Sequence, residues 1–371
     1  MGNWKNGELG DFVTLKRGFD LPQQKREDGQ VPIFSSSGIT GTHSTAMVKA
    51  PGVITGRYGT IGEVFYAAKD FWPLNTTLFV EDFHGNDAKF IYYFLKTLEW
   101  SKFTSASAVP GINRNTVHKE IVSLPDVETQ RRIASTLSMF DEKIKINTEI
   151  NDNLEQQAQS YFQELFVDNA DPEWTTGTIS DLGTVVGGST PSKAKPEYYT
   201  ESGIAWITPK DLSNNKSKFV SHGENDITEL GLRNSSASIM PEGTVLFSSR
   251  APIGYIAIAA GVVTTNQGFK SVVPKPEIGT PFVYFFLKNT LPVIEGMASG
   301  STFKEVSGST MKNVPAVIPD AETLAKFSDF CAPIFAQQRI LEEQNQSLAT
   351  LRDNLLPKLM SGEIDVSAVQ L

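Results

Sequence analysis

At 371 residues with 40% hydrophobic content, the chain can bury two or three cores, and its formal net charge of −9 argues at first sight against a nucleic-acid binder. It has no apolar run of about 18 residues, and its N-terminus, MGNWKNGELGDF, has neither a signal-peptide core nor the myristoylation pattern, so a cytoplasmic chain without a membrane span is expected. Its one cysteine, Cys331, excludes an internal disulfide and reads as a buried, inert thiol.

In chain order, residues 1–125 read as a mainly-β globule. VPIFSSSGITG, GVITGRYGTIGEVFYA and TTLFVEDF are short apolar runs punctuated by Gly and Ser, and DAKFIYYFLKTLEWSKF has helical spacing with Asp87 as its N-cap. Residues 126–170 hold a stretch without Gly or Pro, 128–166. There Ile133, Leu137, Phe140, Ile144, Asn147, Asn151, Leu154, Ala158, Tyr161 and Leu165 alternate by four and three over about four heptads. At about 1.5 Å per residue this helix is roughly 58 Å long and needs a partner along its seam. Residues 171–320 read as a second mainly-β globule, with GTVLFSSRAPIGYIAIAAG, FKSVVPK and the helical TPFVYFFLKNTL. Residues 321–371 carry a second seam, Phe327, Cys331, Ile334, Gln338, Leu341, Asn345, Leu348, Arg352, Leu355 and Leu359, with Pro333 expected to kink its early turns.

The two halves are a tandem duplication. GELGDFVTLKRG (7–18) aligns with GTISDLGTVVGG (177–188), VITGRYGTIG (53–62) with VLFSSRAPIG (245–254), FIYYFLK (90–96) with FVYFFLK (282–288), and LPDVETQ (124–130) with IPDAETL (318–324). The offset grows from 170 to 194, which STPSKAKPEYYTESGIAWITPKDL, read as an insertion at the start of the second globule, is expected to explain. The expected fold class is α+β: two mainly-β domains separated by two long helices that form an antiparallel intramolecular coiled coil. Asn151 and Asn345, equivalent by the repeat, are expected to meet near its centre as a register lock. Acidic and basic residues are unevenly placed. The helical stretches carry −8 of the −9, and both globules are close to neutral, which permits phosphate contact without advertising it.

Taken together, the duplication, the IAWITPKDL segment, the SSRAPIG turn, the IPDAETL helix entry and the LLPKLMSGEI ending resemble the DNA specificity subunit of type I restriction-modification systems. The resemblance implies two target-recognition domains, each reading one half of a bipartite, asymmetric target in double-stranded DNA, and a helical spacer between them. It also implies a non-catalytic chain that carries two methylation subunits and can join restriction subunits. S-adenosylmethionine would be bound by the methylation subunit, and no cofactor by this chain.

Candidate contacts come from the loops. Arg57 and Arg250 are placed at equivalent turn positions, where Arg reads guanine, clamps phosphate or pairs within its own domain. Tyr58 can pack on a sugar or lie half-buried. Thr208 and Lys210, with Asp211, are read as a loop after the insertion, Lys210 facing a phosphate or solvent. Asn75, paired with Asn266 by the repeat, and Gln267 have amides suited to adenine, or to local turns. Ser105, Ser107, Asn113 and Arg114, and Ser299, Ser301, Thr302 and Lys304, form small-residue loops with a cation that suit a DNA backbone or any flexible loop. The four histidines show no metal-ligand spacing. No Pro-Pro pair for an amino-methyltransferase motif and no GxxxxGK[ST] loop occurs, and GRYGTIG lacks βαβ surroundings, so catalysis by the chain alone is not expected.

Overall fold

The computed structural model describes residues 4–104, 110–300 and 304–366. They form two compact units: residues 1–145 with 346–371, and residues 146–345. Each unit therefore contains a globule together with a part of each long helix.

In the first unit an antiparallel sheet has the strand order Thr14–Arg17, Thr77–Asp82, Gly52–Gly56, Val64–Ala67. Beside it, Val31–Ser35 pairs antiparallel with Gly38–His43 and parallel with Trp72–Pro73. Helix Ala88–Lys96 starts at Asp87, whose carboxylate accepts the Phe90 N–H at 2.8 Å, as the sequence indicates. Its Phe90, Ile91, Tyr93 and Leu95 are buried with Leu15, Val53 and Leu78 from the sheet and with Ile133, Leu137 and Leu359 from the long helices. The core thus welds the globule to the helix segments of its own unit.

The second unit repeats the plan. Gly183–Gly187, Lys270–Pro274, Val245–Ser249 and Ile253–Ala259 follow the order of the first sheet, with Phe219–Val220 added at the edge. Ile204–Ile207 pairs parallel with Thr264–Thr265, as Val31–Ser35 does with Trp72–Pro73. Gly18 and Gly188 are equivalent for a steric reason: a Cβ would lie 2.2 Å from the Leu74 carbonyl oxygen in one unit and 2.0 Å from that of Asn266 in the other. The extra residues do not lie where the sequence placed them. Phe34 matches Ile207 and the Val48–Phe71 bridge matches Met240–Val263, so most of the added chain falls between Ile207 and Met240. There it builds helices Pro209–Asn214 and Glu229–Arg233 and strand Phe219–Val220. The IAWI segment aligned poorly because it is an ordinary strand with a divergent sequence.

The long helices are Val127–Gln163, continued by a wider-wound turn Glu164–Asp168, and Ala321–Met360, which runs on through Pro333. Asp126 and Asp320 cap them identically, accepting the N–H of Thr129 at 3.0 Å and of Thr323 at 2.9 Å. The helices run antiparallel. In the second unit Asn147 meets Asn345, Asn151 meets Gln338 and Tyr161 meets Phe330, and in the first Asp141 meets Arg352. The register lock therefore differs from expectation. Asn345 accepts the Nδ2–H of fully buried Asn147 at 2.9 Å, and Asn151 donates to the Gln338 carbonyl at 3.5 Å. Residues equivalent by a repeat are not partners by necessity in an antiparallel pair; the flanking contacts shift the match by one turn. Among the described residues no helix is long and apolar enough to cross a membrane.

Candidate nucleic-acid interface

The second unit has a polar cleft of about 450 Å³ that gathers five of the sequence candidates: Thr208, Lys210, Arg250, Asn266 and Gln267. Its floor is rigid. Trp206 donates its indole N–H to the Ser189 carbonyl at 3.0 Å, and Thr208 begins a helix, not a loop. The Thr-Pro-Lys-Asp order is a capping box with Pro at the first turn: Asp211 Oδ2 accepts the Thr208 N–H at 2.7 Å and its hydroxyl at 2.6 Å. This holds Lys210 at the cleft edge, where its ammonium lies 2.6 Å from Glu224.

Arg250 in the cleft and Lys270 beyond it are compensated too. Arg250 lies 3.5 Å from Glu305, which also faces Lys270 at 3.8 Å. Burial pulls the Lys270 ammonium below its ordinary range, with Glu305 opposing. Carboxylates beside the basic groups are the local reason that the globule is near neutral while having a site able to meet phosphates. Asn266 is tied to its own turn, its Oδ1 accepting the Gly268 N–H at 2.8 Å. Gln267 is exposed, and its Oε1 takes the hydroxyl of Thr190.

The first unit shows the same backbone with different side chains. Ile112 N donates to the Arg57 carbonyl and Val306 N to that of Ser249, so Arg57 matches Ser249, and Arg250 matches Tyr58. The equivalence of the two arginines is therefore off by one position. Asn75 likewise matches Gln267: Leu74 and Asn266 donate to the equivalent Phe34 and Ile207 carbonyls at 2.8 and 3.0 Å. The offset of 192 that aligns 53–62 with 245–254 already gives these matches; pairing the two arginines and the two asparagines by residue type departs from it. The Arg57 guanidinium lies 4.5 Å over the half-buried Tyr58 ring, a cation held on an aromatic face, and its Nε reaches the Ile112 carbonyl at 3.4 Å. Asn75 donates its amide to Asp20.

Of the remaining candidates, Asn113 caps the short helix Arg114–His118, accepting the Asn115 N–H at 3.0 Å, and Arg114 is exposed. Ser299 exchanges backbone hydrogen bonds with Glu305, and Lys304 beside it is exposed. Ser105, Ser107, Ser301 and Thr302 lie outside the described residues. His118 is packed, accepting the Leu15 N–H at 2.8 Å, and among the described residues no group of three His, Cys, Asp or Glu side chains could hold a metal. Cys331 is fully buried, and burial pushes its thiol up to about 12.

Residues 1–156 and 172–351 match the family described as the type I restriction modification DNA specificity domain. The chain belongs to that family. It is 39% identical over 194 residues to the type I restriction enzyme MjaIX specificity subunit of Methanocaldococcus jannaschii, covering 50% of this chain and 45% of that protein. It is 24% identical over 347 residues to the HindI specificity subunit of Haemophilus influenzae, covering 72% and 75%. Its fold is similar to that of a type I restriction-modification S subunit from M. genitalium, with a TM-score of 0.64, 19% identity and 96% of both chains covered. The chain thus spans less than half of the first relative's length and three quarters of the second's.

In this specificity-family chain, sequence reasoning missed Asp20, Thr190, Lys193, Glu224, Lys270 and Glu305. The 170-residue offset that aligns Gly18 with Gly188 also aligns Asp20 with Thr190 and was signal enough for that pair. The pairing of Glu305 with Arg250 joins segments far apart in the chain, and no local pattern announces it.

Proposed function

We propose that the chain is the specificity subunit of a type I restriction-modification complex. Each globule reads one half of a bipartite, asymmetric target in double-stranded DNA through the rim formed by its glycine-tight turn and the following strand ends. The observation that carries this reading is the duplicated rim itself: one backbone framework, present twice, with different polar side chains at each matched position. A framework kept while its side chains diverge is what two unequal half-sites require.

The chain performs no chemistry in this reading. Two methylation subunits carry S-adenosylmethionine and modify adenine, and restriction subunits join the same assembly in the cytoplasm. The long helices, about 1.5 Å per residue, act as the spacer between the half-sites and as the docking surface for the methylation subunits. Their acidic faces suit a protein neighbour better than a phosphate backbone. Methylome sequencing of the host with and without the gene tests the proposal: a bipartite methylated motif must vanish on deletion and return on complementation. If no bipartite motif depends on the gene, the reading is wrong.

A further inference from the structure

The reading above leaves open which side chains discriminate bases, and the duplication singles out one pair. Asn75 and Gln267 sit at the same backbone position. The residue before each donates its N–H to the end of the neighbouring parallel strand, Phe34 or Ile207. The carbonyl of the residue after each accepts an N–H from the next strand end, Thr76 from Arg57 at 2.8 Å and Gly268 from Ser249 at 2.7 Å. The side chain between these two backbone bonds is therefore held at a fixed place on the rim in both units. Gln267 is exposed and opens into the polar cleft; Asn75 is half-exposed.

Turn amides ordinarily satisfy themselves on their own backbone, as Asn266 does. These two are instead gripped from one end by a side chain distant in sequence. Asn75 gives one N–H to Asp20, and Gln267 receives the Thr190 hydroxyl on Oε1. Asp20 and Thr190 are also matched, each lying two residues beyond the glycine that packs against the rim carbonyls. The grip fixes the amide plane and leaves part of each amide unused. Asn75 keeps one N–H and its carbonyl oxygen, and Gln267 keeps two N–H groups and one oxygen lone pair. One donor with one acceptor on a rigid amide is the complement of adenine, which offers N7 as acceptor and N6–H as donor in the major groove.

We propose that Asn75 and Gln267 are the matched base-reading positions of the two globules, each taking the major-groove edge of an adenine in its own half-site, with Asp20 and Thr190 as positioning residues. This rests on the specificity-subunit reading above.

The test uses the full chain assembled with its methylation subunits and a plasmid library carrying randomised positions, with methylated sites read by sequencing. Asn75→Ala should relax preference at one adenine position in one half of the motif, by about 5- to 100-fold, with the other half unchanged. Gln267→Ala should do the same in the other half only. The untouched half reports in each case that the protein is folded and assembled. Asn75→Asp and Gln267→Glu keep shape and lose the donor, and should depress adenine at the same positions. Unchanged motifs with all four variants, relaxation at a base other than adenine, or equal loss in both halves overturns the proposal. A wild-type assembly that methylates no bipartite motif would instead overturn the specificity-subunit reading.

Discussion

The two globules are anchored to the long helices by different means. In the first unit Asp141 accepts the Tyr93 hydroxyl at 2.5 Å and the Arg352 guanidinium at 2.5 Å, a compact triad of one carboxylate, one phenol and one cation. In the second, Glu155 receives the Lys218 ammonium at 2.8 Å, Lys288 at 2.5 Å and the Tyr284 hydroxyl at 3.1 Å. Lys218 also donates to Gln338 at 2.9 Å and sits 3.5 Å above the Phe335 ring. Its backbone N–H and that of Phe219 go to Glu342 at 2.8 and 3.0 Å. Lys218 belongs to the chain added between Ile207 and Met240, for which the first globule has no counterpart. The lesson is that the globule with the larger variable segment also has a buried polar tether from that segment to the helices.

Removing that tether has the largest expected effect. Lys218→Ala leaves Glu155 with one cation fewer in a site where the lysine side chain is only 6% exposed, and should destabilise the second unit by about 3 kcal/mol. Denaturant unfolding combined with hydrogen exchange checks this, with protection lost around 204–227 and kept in 4–104. Arg352→Ala should give the mirror result, loosening the first unit with the second intact. If either variant melts both units equally, the anchors are not local to their globules.

Acid should weaken the second anchor. Burial raises the Glu155 carboxyl, but Lys218 and Lys288 beside it outweigh burial and hold it at about 2, below an ordinary glutamate. Burial pulls Lys218 down to about 8, with Glu155 opposing, so the pair is charged at neutral pH. A lowered carboxylate contributes stability above its unfolded pKa and loses it as pH falls through the folded value. The Glu155 contribution is thus full above about pH 4.5 and gone near pH 2, up to about 3 kcal/mol. Wild type and Glu155→Gln should differ in unfolding free energy at pH 7 and converge as pH falls through that window. A constant gap across the window would mean that the glutamate acts by packing alone.

These anchors mark where the sequence was legible. The repeat, both long helices, the Asp87 cap, the LPDVETQ and IPDAETL helix entries and most of the seam could be read because each depends on residues close in sequence or on a repeated pattern. Lys218 could not be read, since a lysine in NNKSKF looks like solvent-facing loop and only the meeting of three distant segments buries it. The site was legible as a set of loops, and Thr208, Lys210, Arg250 and Gln267 do converge. Its register was also written in the offset of 192 between 53–62 and 245–254, but matching arginine with arginine and asparagine with asparagine by residue type broke that offset by one.

A smaller effect should distinguish the two cationic turns. Arg57 rests on Tyr58, whereas Arg250 and Lys270 share Glu305. Glu305→Gln frees two cations, so the affinity of the assembled complex for non-cognate duplex should rise several-fold and its log–log salt dependence should steepen by about one to two charges. Fluorescence anisotropy across a salt series measures both. No change in slope would place Arg250 and Lys270 away from phosphates.

The smallest effect concerns the point where the two globules part company. Ser35 and Thr208 follow the matched residues Phe34 and Ile207, and both bear hydroxyls, but the hydroxyls do different things. Ser35 Oγ donates to the Gly38 carbonyl at 3.0 Å and closes a tight turn between strands. Thr208 Oγ1 donates to Asp211 and opens the helix that holds Lys210 at the cleft. Thr208→Ala removes a cap and should cost about 1 kcal/mol, with Thr208→Ser nearly neutral, because the hydroxyl and not the methyl carries the cap. Ser35→Ala removes one partly exposed turn bond and should cost about 0.5 kcal/mol. Equal losses would mean that the capping box adds nothing beyond a turn bond, and that Pro209 and the packing of Leu212 are enough to start the added segment as a helix.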